Sequence, residues 1–162
     1  MNSSDTLTTL FRHNRWANLR LVEQCAQLSE EQLASALTGT YGSIRDTLQH
    51  MATAERSYFS RISSGQAVRR PQNAPPMTLQ EIAESLRASG AGLVEWAGKV
   101  QADDAVEIAW EGAPRQVPKT ILLTQAINHA TEHRAQVMTI LTQLGIQPPE
   151  LDGWSYFDEL ER

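Results

Sequence analysis

A chain of 162 residues suits one domain with its own core, spanning 1–162. Hydrophobic residues make up 41%, charged residues 20%, and the net charge is -5, so a general nucleic-acid binder with a basic face is excluded and no anionic membrane partner is implied. The single cysteine, Cys25, rules out an intrachain disulfide; with no secretory pattern at the N-terminus and no apolar run able to span a bilayer, the expected location is the cytoplasm.

Apolar residues at spacings of three and four predict a first helix over residues 5–28, with Leu7, Leu10, Phe11, Leu21, Val22, Cys25 and Leu28 inward. Asn14 and Asn18 fall on the same stripe. A polar residue there is either bonded within the core or placed for a site; Asn18 fits the first description, and Asn14 is a candidate for the second. His13 is off the stripe and is expected in solvent. Trp16 is also off it, and is expected to cover a loop or join a subunit interface.

Ser29 with Gln32 has the form of a capping box and predicts a short helix ending near Leu37. A turn follows at Thr38 to Gly42. Ser43 with Asp46 starts a second long helix with Ile44, Leu48, Met51, Tyr58, Phe59 and Ile62 on its apolar face, ending at Ser63-Ser64-Gly65. His50 lies at the edge of that face. Glu55 lies near its middle, where an acid is unusual. Either it belongs to a buried ion pair or helix-end hydrogen bond, or it supports a ligand or binds a substrate.

Pro71, Pro75 and Pro76 mark a loop. Thr78 with Glu81 opens a third helix running to about Val100, with Leu79, Ile82, Leu86, Leu93 and Ala97 inward. Gly90 and Gly92 weaken it by about 1 kcal/mol each relative to Ala, and point either to a close helix approach or to a kink. The alternation of Val106, Ile108 and Trp110, a turn at Glu111-Gly112-Ala113-Pro114, and a return through Val117 predict a β-hairpin. Pro118 then suits the first turn of a fourth long helix. Its stripe runs through Leu122, Ala126, His129, His133, Val137, Ile140 and Leu144 and stops at Gly145. The tail from Leu151 to Phe157, with Trp154 and Tyr156, is expected to pack back. These elements make an all-α fold, a four-helix bundle with crossover connections and a small β-hairpin between the third and fourth long helices.

His129 and His133 are four residues apart, about 6 Å along a helix axis, and share one face. Two imidazoles in the middle of an apolar stripe leave several polar nitrogens to satisfy, and a transition metal satisfies them. His50, on another helix, supplies a third nitrogen. Three histidines leave one coordination position open, as in catalytic rather than structural zinc sites. The letters H-x-x-E-H at 129–133 also match inverted zinc peptidases. Those enzymes need a downstream glutamate on a further helix. Glu150, Glu159 and Glu161 do not provide one, and Glu132 is off the histidine stripe, so a peptidase is not expected.

Four motifs together resemble the DinB-like superfamily of four-helix-bundle metalloenzymes, over nearly the whole chain. They are Phe11-Arg12-His13-Asn14-Arg15-Trp16-Ala17-Asn18; Leu48-Gln49-His50-Met51 followed by Ala54-Glu55; His129 to His133 followed by Arg134-Ala135-Gln136-Val137, with Ala135 where the family usually has glycine; and Asp152-Gly153-Trp154-Ser155-Tyr156-Phe157. The resemblance implies a divalent metal, zinc or nickel, held by His50, His129 and His133, and a homodimer. Characterised relatives include transferases using low-molecular-weight thiols such as bacillithiol, and a mycothiol-dependent isomerase. A metal-dependent thiol S-transferase or hydrolase is therefore expected, with Glu55 or Asn14 orienting a small-molecule substrate. The alternative is a non-catalytic metal-binding bundle acting in stress response or through protein interaction.

Overall fold

The computed structural model describes residues 6–161, with Trp110 described by its backbone alone. The expected helix start at Asp5, the N-terminal segment read for a secretory signal, and Arg162 lie outside the described residues. In order come α1 (Thr6–Cys25), α2 (Glu30–Leu33), α3 (Ile44–Ser64), α4 (Leu79–Ala97), β1 (Ala105–Trp110), β2 (Ala113–Pro118), α5 (Lys119–Gln143) and α6 (Gly153–Leu160).

Local chemistry sets most of these boundaries. Ser29, Ser43 and Thr78 form reciprocal capping boxes with Gln32, Asp46 and Glu81, each satisfying two backbone groups that a helix start leaves open. Gly65 and Gly145 follow α3 and α5 with φ of 74° and 73°, a left-handed conformation in which a side chain is strained. The hairpin turn is tighter than its sequence suggests. Glu111 and Gly112 alone make it, both at positive φ, as a two-residue turn between right-twisted strands requires. Ala113 and Pro114 already belong to β2, paired with Trp110 and Ala109. Val106 is buried against the bundle end. Pro118 precedes α5 as its N-cap rather than lying in its first turn.

The long helices α1, α3, α4 and α5 form the bundle. Helices α1 and α3 each pack on both α4 and α5, so each pair occupies one diagonal. The α1-to-α3 and α4-to-α5 connections therefore cross the bundle, the second by way of the hairpin. The apolar interior is in two parts. One contains Leu21, Leu48, Met51, Leu86 and Val137; the other contains Phe11, Ile62, Leu93 and Leu122. Between them, all four helices contribute polar side chains. No helix among the described residues is long and apolar enough to cross a membrane.

Several sequence expectations need correction. Helix α1 ends at Cys25 and α4 at Ala97, each three residues early. Leu10 is 45% exposed, on the flank of α1, and Leu7 and Leu144 are also exposed; on α1, Asn14, Ala17 and Asn18 take the inward positions. In the tail only Leu151 is buried, while Tyr156 packs on Trp16. Trp154, Phe157 and Leu160 share the outward face of α6, with Trp154 81% exposed. His13 is not in solvent: its Nε2–H donates to Leu151 O at 2.7 Å. That bond and the Trp16–Tyr156 contact hold the tail against α1.

The two glycines of α4 mark close approach, not a kink. A Cβ on Gly92 would stand 2.3 Å from the Phe59 ring on α3, and one on Gly90 would stand 2.8 Å from Arg15 Cγ on α1. Helix propensity alone favours alanine by about 1 kcal/mol, but overpacking typically costs about 1–3 kcal/mol. Gly92→Ala is therefore expected to destabilise the protein by about 1–2 kcal/mol in urea unfolding. A stabilised variant would mean that Phe59 yields freely and does not set the α3–α4 distance.

Candidate metal centre

His50 projects from α3, and His129 and His133 project from successive turns of α5. Their ligand-bearing atoms all lie within 4.8 Å of one another. His50 Nε2 and His129 Nε2 are 2.9 Å apart. The ring centroids of His129 and His133 are separated by 4.4 Å, and those of His50 and His133 by 4.9 Å. Tyr41, in the turn before α3, stacks on His50 at 4.0 Å with planes 14° apart. His133 is buried, and the other two histidines are half-buried.

Burial, reinforced by His133, lowers the His50 pKa, and burial with His133 and His50 lowers that of His129 to about 4. Both rings are thus neutral near pH 7, the form that offers a lone pair to a cation. The tautomer of His133 is set by Gln136. The Gln136 Oε1 atom accepts from His133 Nδ1–H at 3.0 Å and from the Tyr41 backbone N–H at 3.1 Å. A backbone N–H can only donate, so the shared atom must be the amide oxygen. His133 therefore carries its proton on Nδ1 and leaves Nε2 free to bind.

The donor set fits a transition cation. Imidazoles around a tetrahedral zinc, at about 2.0–2.1 Å, hold their nitrogens about 3.3 Å apart, and the spacings here bracket that value. A hollow of about 350 Å³ reaches His50 and is lined also by Tyr41, Gly42, Asp46, Gln49 and Thr53. Glu132 is exposed, and among the described residues the cluster consists of the three histidines. Cys25 is buried away from it, with its thiol pushed up to about 12 by burial.

Two comparisons with known proteins bear on this arrangement. The model of the DinB family matches residues 1–161. The chain belongs to the DinB family. Among solved structures, a DinB-like protein from Bacillus subtilis is similar at a TM-score of 0.65 and 14% identity, covering 91% of this chain and 99% of that one. Another, from Bacillus cereus, is similar at a TM-score of 0.61 and 20% identity, covering 86% and 91%. None of the curated proteins matches the chain.

In this DinB-family chain the two remaining candidates, Glu55 and Asn14, come together, but not with the histidines and not in the hollow. Glu55 is buried at the bundle centre. Its Oε2 accepts from Asn14 Nδ2 at 3.2 Å and Asn18 Nδ2 at 2.9 Å, and its Oε1 accepts from Ser89 Oγ–H at 2.6 Å. Behind the asparagines lies Arg134, whose Nη1 donates to Asn14 Oδ1 at 2.6 Å and Asn18 Oδ1 at 2.7 Å. Two amides thus stand between a carboxylate and a guanidinium. Burial pushes Glu55 up to about 7 against the opposing pull of Ser89, Arg134, Asn14 and Asn18. Burial also brings Arg134 down to about 10, so it stays cationic at neutral pH.

Sequence reasoning gave no role to four members of this DinB site and its surroundings, although Arg134 and Gln136 fall within the family motif. Ser89 continues the inward stripe of Ile82, Leu86 and Leu93, and a serine there was a visible signal. Arg134 falls at helical spacing between Ala130 and Val137, but a charged residue beside a histidine motif looks like a solvent face. Gln136 lies three residues beyond His133, which gives proximity without a partner. Tyr41 had no sequence signal, because its stacking depends on how the turn folds over α3.

Two outcomes test these assignments. Partners that orient a ligating imidazole typically contribute 10–100-fold to metal affinity. Gln136→Ala should therefore weaken metal binding by about that factor in competition with a chromophoric chelator; unchanged affinity would remove Gln136 from the site. The second test uses the Glu55 proton. Its pKa is raised from 4.5 to about 7 in the folded state, so between those values the native protein holds a proton that the unfolded chain has lost. Its contribution to stability is complete below about pH 4.5 and falls, by up to about 3 kcal/mol, as pH rises to about 7. Glu55→Gln keeps the shape: its oxygen can serve both asparagines while the Ser89 hydroxyl turns to Ser85 O, 2.9 Å away. Urea unfolding in chelator should show the wild type losing stability relative to this variant across that window. Parallel curves would place the Glu55 pKa at its ordinary value.

Proposed function

We propose that the protein is a metal-dependent enzyme acting on a small molecule, with transfer to or from a low-molecular-weight thiol as the first reading and hydrolysis as the second. The observation that carries it is the convergence of three imidazoles beside a hollow open to solvent. His50, His129 and His133 would hold the divalent cation, and an all-imidazole set suits zinc or nickel. Such a cation, when bound, supplies Lewis acidity that brings a thiol or water towards its nucleophilic, deprotonated form near neutral pH.

The chain's own residues do the positioning. Gln136 fixes His133 and ties it to the Tyr41 turn, so the metal-facing nitrogen and the roof over His50 are set by one amide. The hollow's polar groups are mostly committed. Gln49 Oε1 accepts from Met77 N–H at 2.7 Å, and the Thr53 hydroxyl turns back to Gln49 O at 3.0 Å. Substrate therefore meets a small, fixed opening, suited to a compact molecule rather than a polypeptide. Glu55 and Asn14 lie off that opening and hold α1, α3 and α5 in place.

The test is metal analysis of the wild type, His50→Ala and His133→Ala, followed by conjugation of monochlorobimane with several cellular thiols. The expected result is about one divalent ion per chain, lost in both variants, and thiol conjugation that disappears with the metal. Equal metal content in all three proteins would end the site assignment. Metal-independent conjugation would end the enzymatic one. Metal without turnover of thiols or model esters would leave a non-catalytic metal-binding bundle.

A further inference from the structure

A cavity of about 770 Å³, larger than the hollow beside His50, runs along the seam of α1 and α5 and is lined also by residues 147–152. Its α5 wall reaches from Ile127 to Thr142, about 22 Å at 1.5 Å per residue. One wall residue is out of keeping with the rest. Arg134 is only 6% exposed, yet among the described residues no carboxylate forms an ion pair with it. A buried cation without an anion beside it is unusual, because desolvation of the charge is not repaid. Its bonds go to neutral oxygens, from Nη1 to Asn14 and Asn18 and from Nη2 to Thr131 Oγ1 at 3.0 Å. A guanidinium carries five N–H donors, so the Nε–H and the second Nη2–H are unspent. The Nε has no partner, and unlike the Nε of Arg15 it is not sealed from solvent. The open space it meets is this cavity.

The other polar groups around Arg134 are committed. Asn14 is used at both ends of its amide, and His13 Nε2–H is held by Leu151 O. The Thr139 and Thr142 hydroxyls turn back onto the α5 backbone. Leu10, Ile127, Met138 and Leu151 make much of the remaining wall apolar. The two acids that line it, Glu150 and Asp152, are both exposed, and Asp152 Oδ1 is spent on the first N–H groups of α6. Their charge repels a second anionic group at the rim, while the unspent donors of Arg134 attract one at the floor. Arg134 is also fixed in advance by its three bonds, which lowers the entropic cost of binding. We propose that this cavity is a binding site for a monocarboxylate with an apolar chain, the chemistry of a medium-chain fatty acid. The carboxylate accepts from Arg134 Nε–H and Nη2–H, the paired geometry that a guanidinium offers, and the chain lies along Leu10, Ile127 and Met138. The site opens on a different face of α5 from the histidine cluster and does not depend on the function proposed for it.

The metal-loaded protein is titrated by calorimetry with octanoate, and with octan-1-ol, butyrate and octanedioate as controls. Saturable binding of octanoate is expected. The alcohol, which lacks the charge, the short acid, which lacks the chain, and the diacid, which carries a second charge, should each bind at least about tenfold more weakly. Arg134→Gln should weaken octanoate by about tenfold or more, the usual value of a hydrogen bond to a charged group. Because Arg134 also joins α5 to α1, two substitutions at exposed positions serve if that variant does not fold. Leu10→Glu puts a negative charge beside the chain, and Ala135→Trp fills the cavity from its α5 wall. Each should weaken octanoate by about tenfold or more in a protein whose circular dichroism and metal content match the wild type. His50→Ala should leave octanoate binding unchanged. No saturable binding of octanoate, equal binding of octan-1-ol, butyrate or octanedioate, or unchanged affinity in Leu10→Glu and Ala135→Trp would each overturn the proposal. So would loss of binding in His50→Ala, which would put the carboxylate on the metal, and so would octanoate binding only by displacing a second copy of the chain from this face.

Discussion

One carboxylate fixes this bundle. Glu55 of α3 takes hydrogen bonds from α1 through Asn14 and Asn18 and from α4 through Ser89, and the asparagines pass the contact on to Arg134 of α5. Apolar helix faces tolerate small slides, because a leucine finds nearly equivalent neighbours one step along. A buried hydrogen-bond network does not, since a shift of an ångström leaves donors unpaired in a medium where that is expensive. The network sits between the two apolar halves of the core, so it sets the register of four helices at once. Each asparagine is used fully, the oxygen towards the guanidinium and the amide nitrogen towards the carboxylate.

That register is what the histidines rely on. Residues His133 and Arg134 are consecutive, and consecutive helical side chains diverge by about 100°. One therefore faces α3 and the metal centre, and the other faces α1 and the polar network. Arg134 holds α5 in rotation about its axis, and so aims His129 and His133 at His50. Glu55 holds α3, which carries His50 little more than a turn away. The centre is thus supported from both sides by a network that touches none of its ligands. Gln136 adds the local support, by tying His133 to the turn that places Tyr41 over His50.

What the sequence revealed divides along the same line. Helix starts were legible because a capping box is a relation between residues three apart, and the hairpin because Val106, Ile108 and Trp110 alternate ahead of a glycine-containing turn, although the turn's length was not. The histidines were legible because i, i+4 spacing on an apolar stripe is local, and His50 because it was a second anomaly on a second stripe. Glu55, Asn14 and Asn18 also showed as anomalies, but not as partners of one another, because they lie on different helices and local spacing does not pair them. His13 was misjudged for the same reason: its partner, Leu151 O, is 138 residues away. The outward turn of Trp154 and Phe157 was hidden too, since an aromatic-rich tail reads as core until a helix cap at Asp152 fixes which way it faces.

The histidine cluster also has to be weighed as a cost. A bundle of this size has no structural need for three imidazoles between α3 and α5, where aliphatic side chains would pack without polar nitrogens to satisfy. Desolvation here opposes protonation of His50 and His129, which removes the simplest way for an imidazole to be comfortable in a protein, as a solvated cation. The pair instead share one short contact, in which one Nε2–H donates to the other Nε2, and the Nδ1–H of His133 goes to Gln136. A cation that displaces the shared proton would meet two lone pairs at one point. A cation bound there stabilises the native state over the unfolded chain. Because Gln136 joins His133 to the Tyr41 backbone, that stabilisation extends beyond the ligands to the turn that shapes the opening.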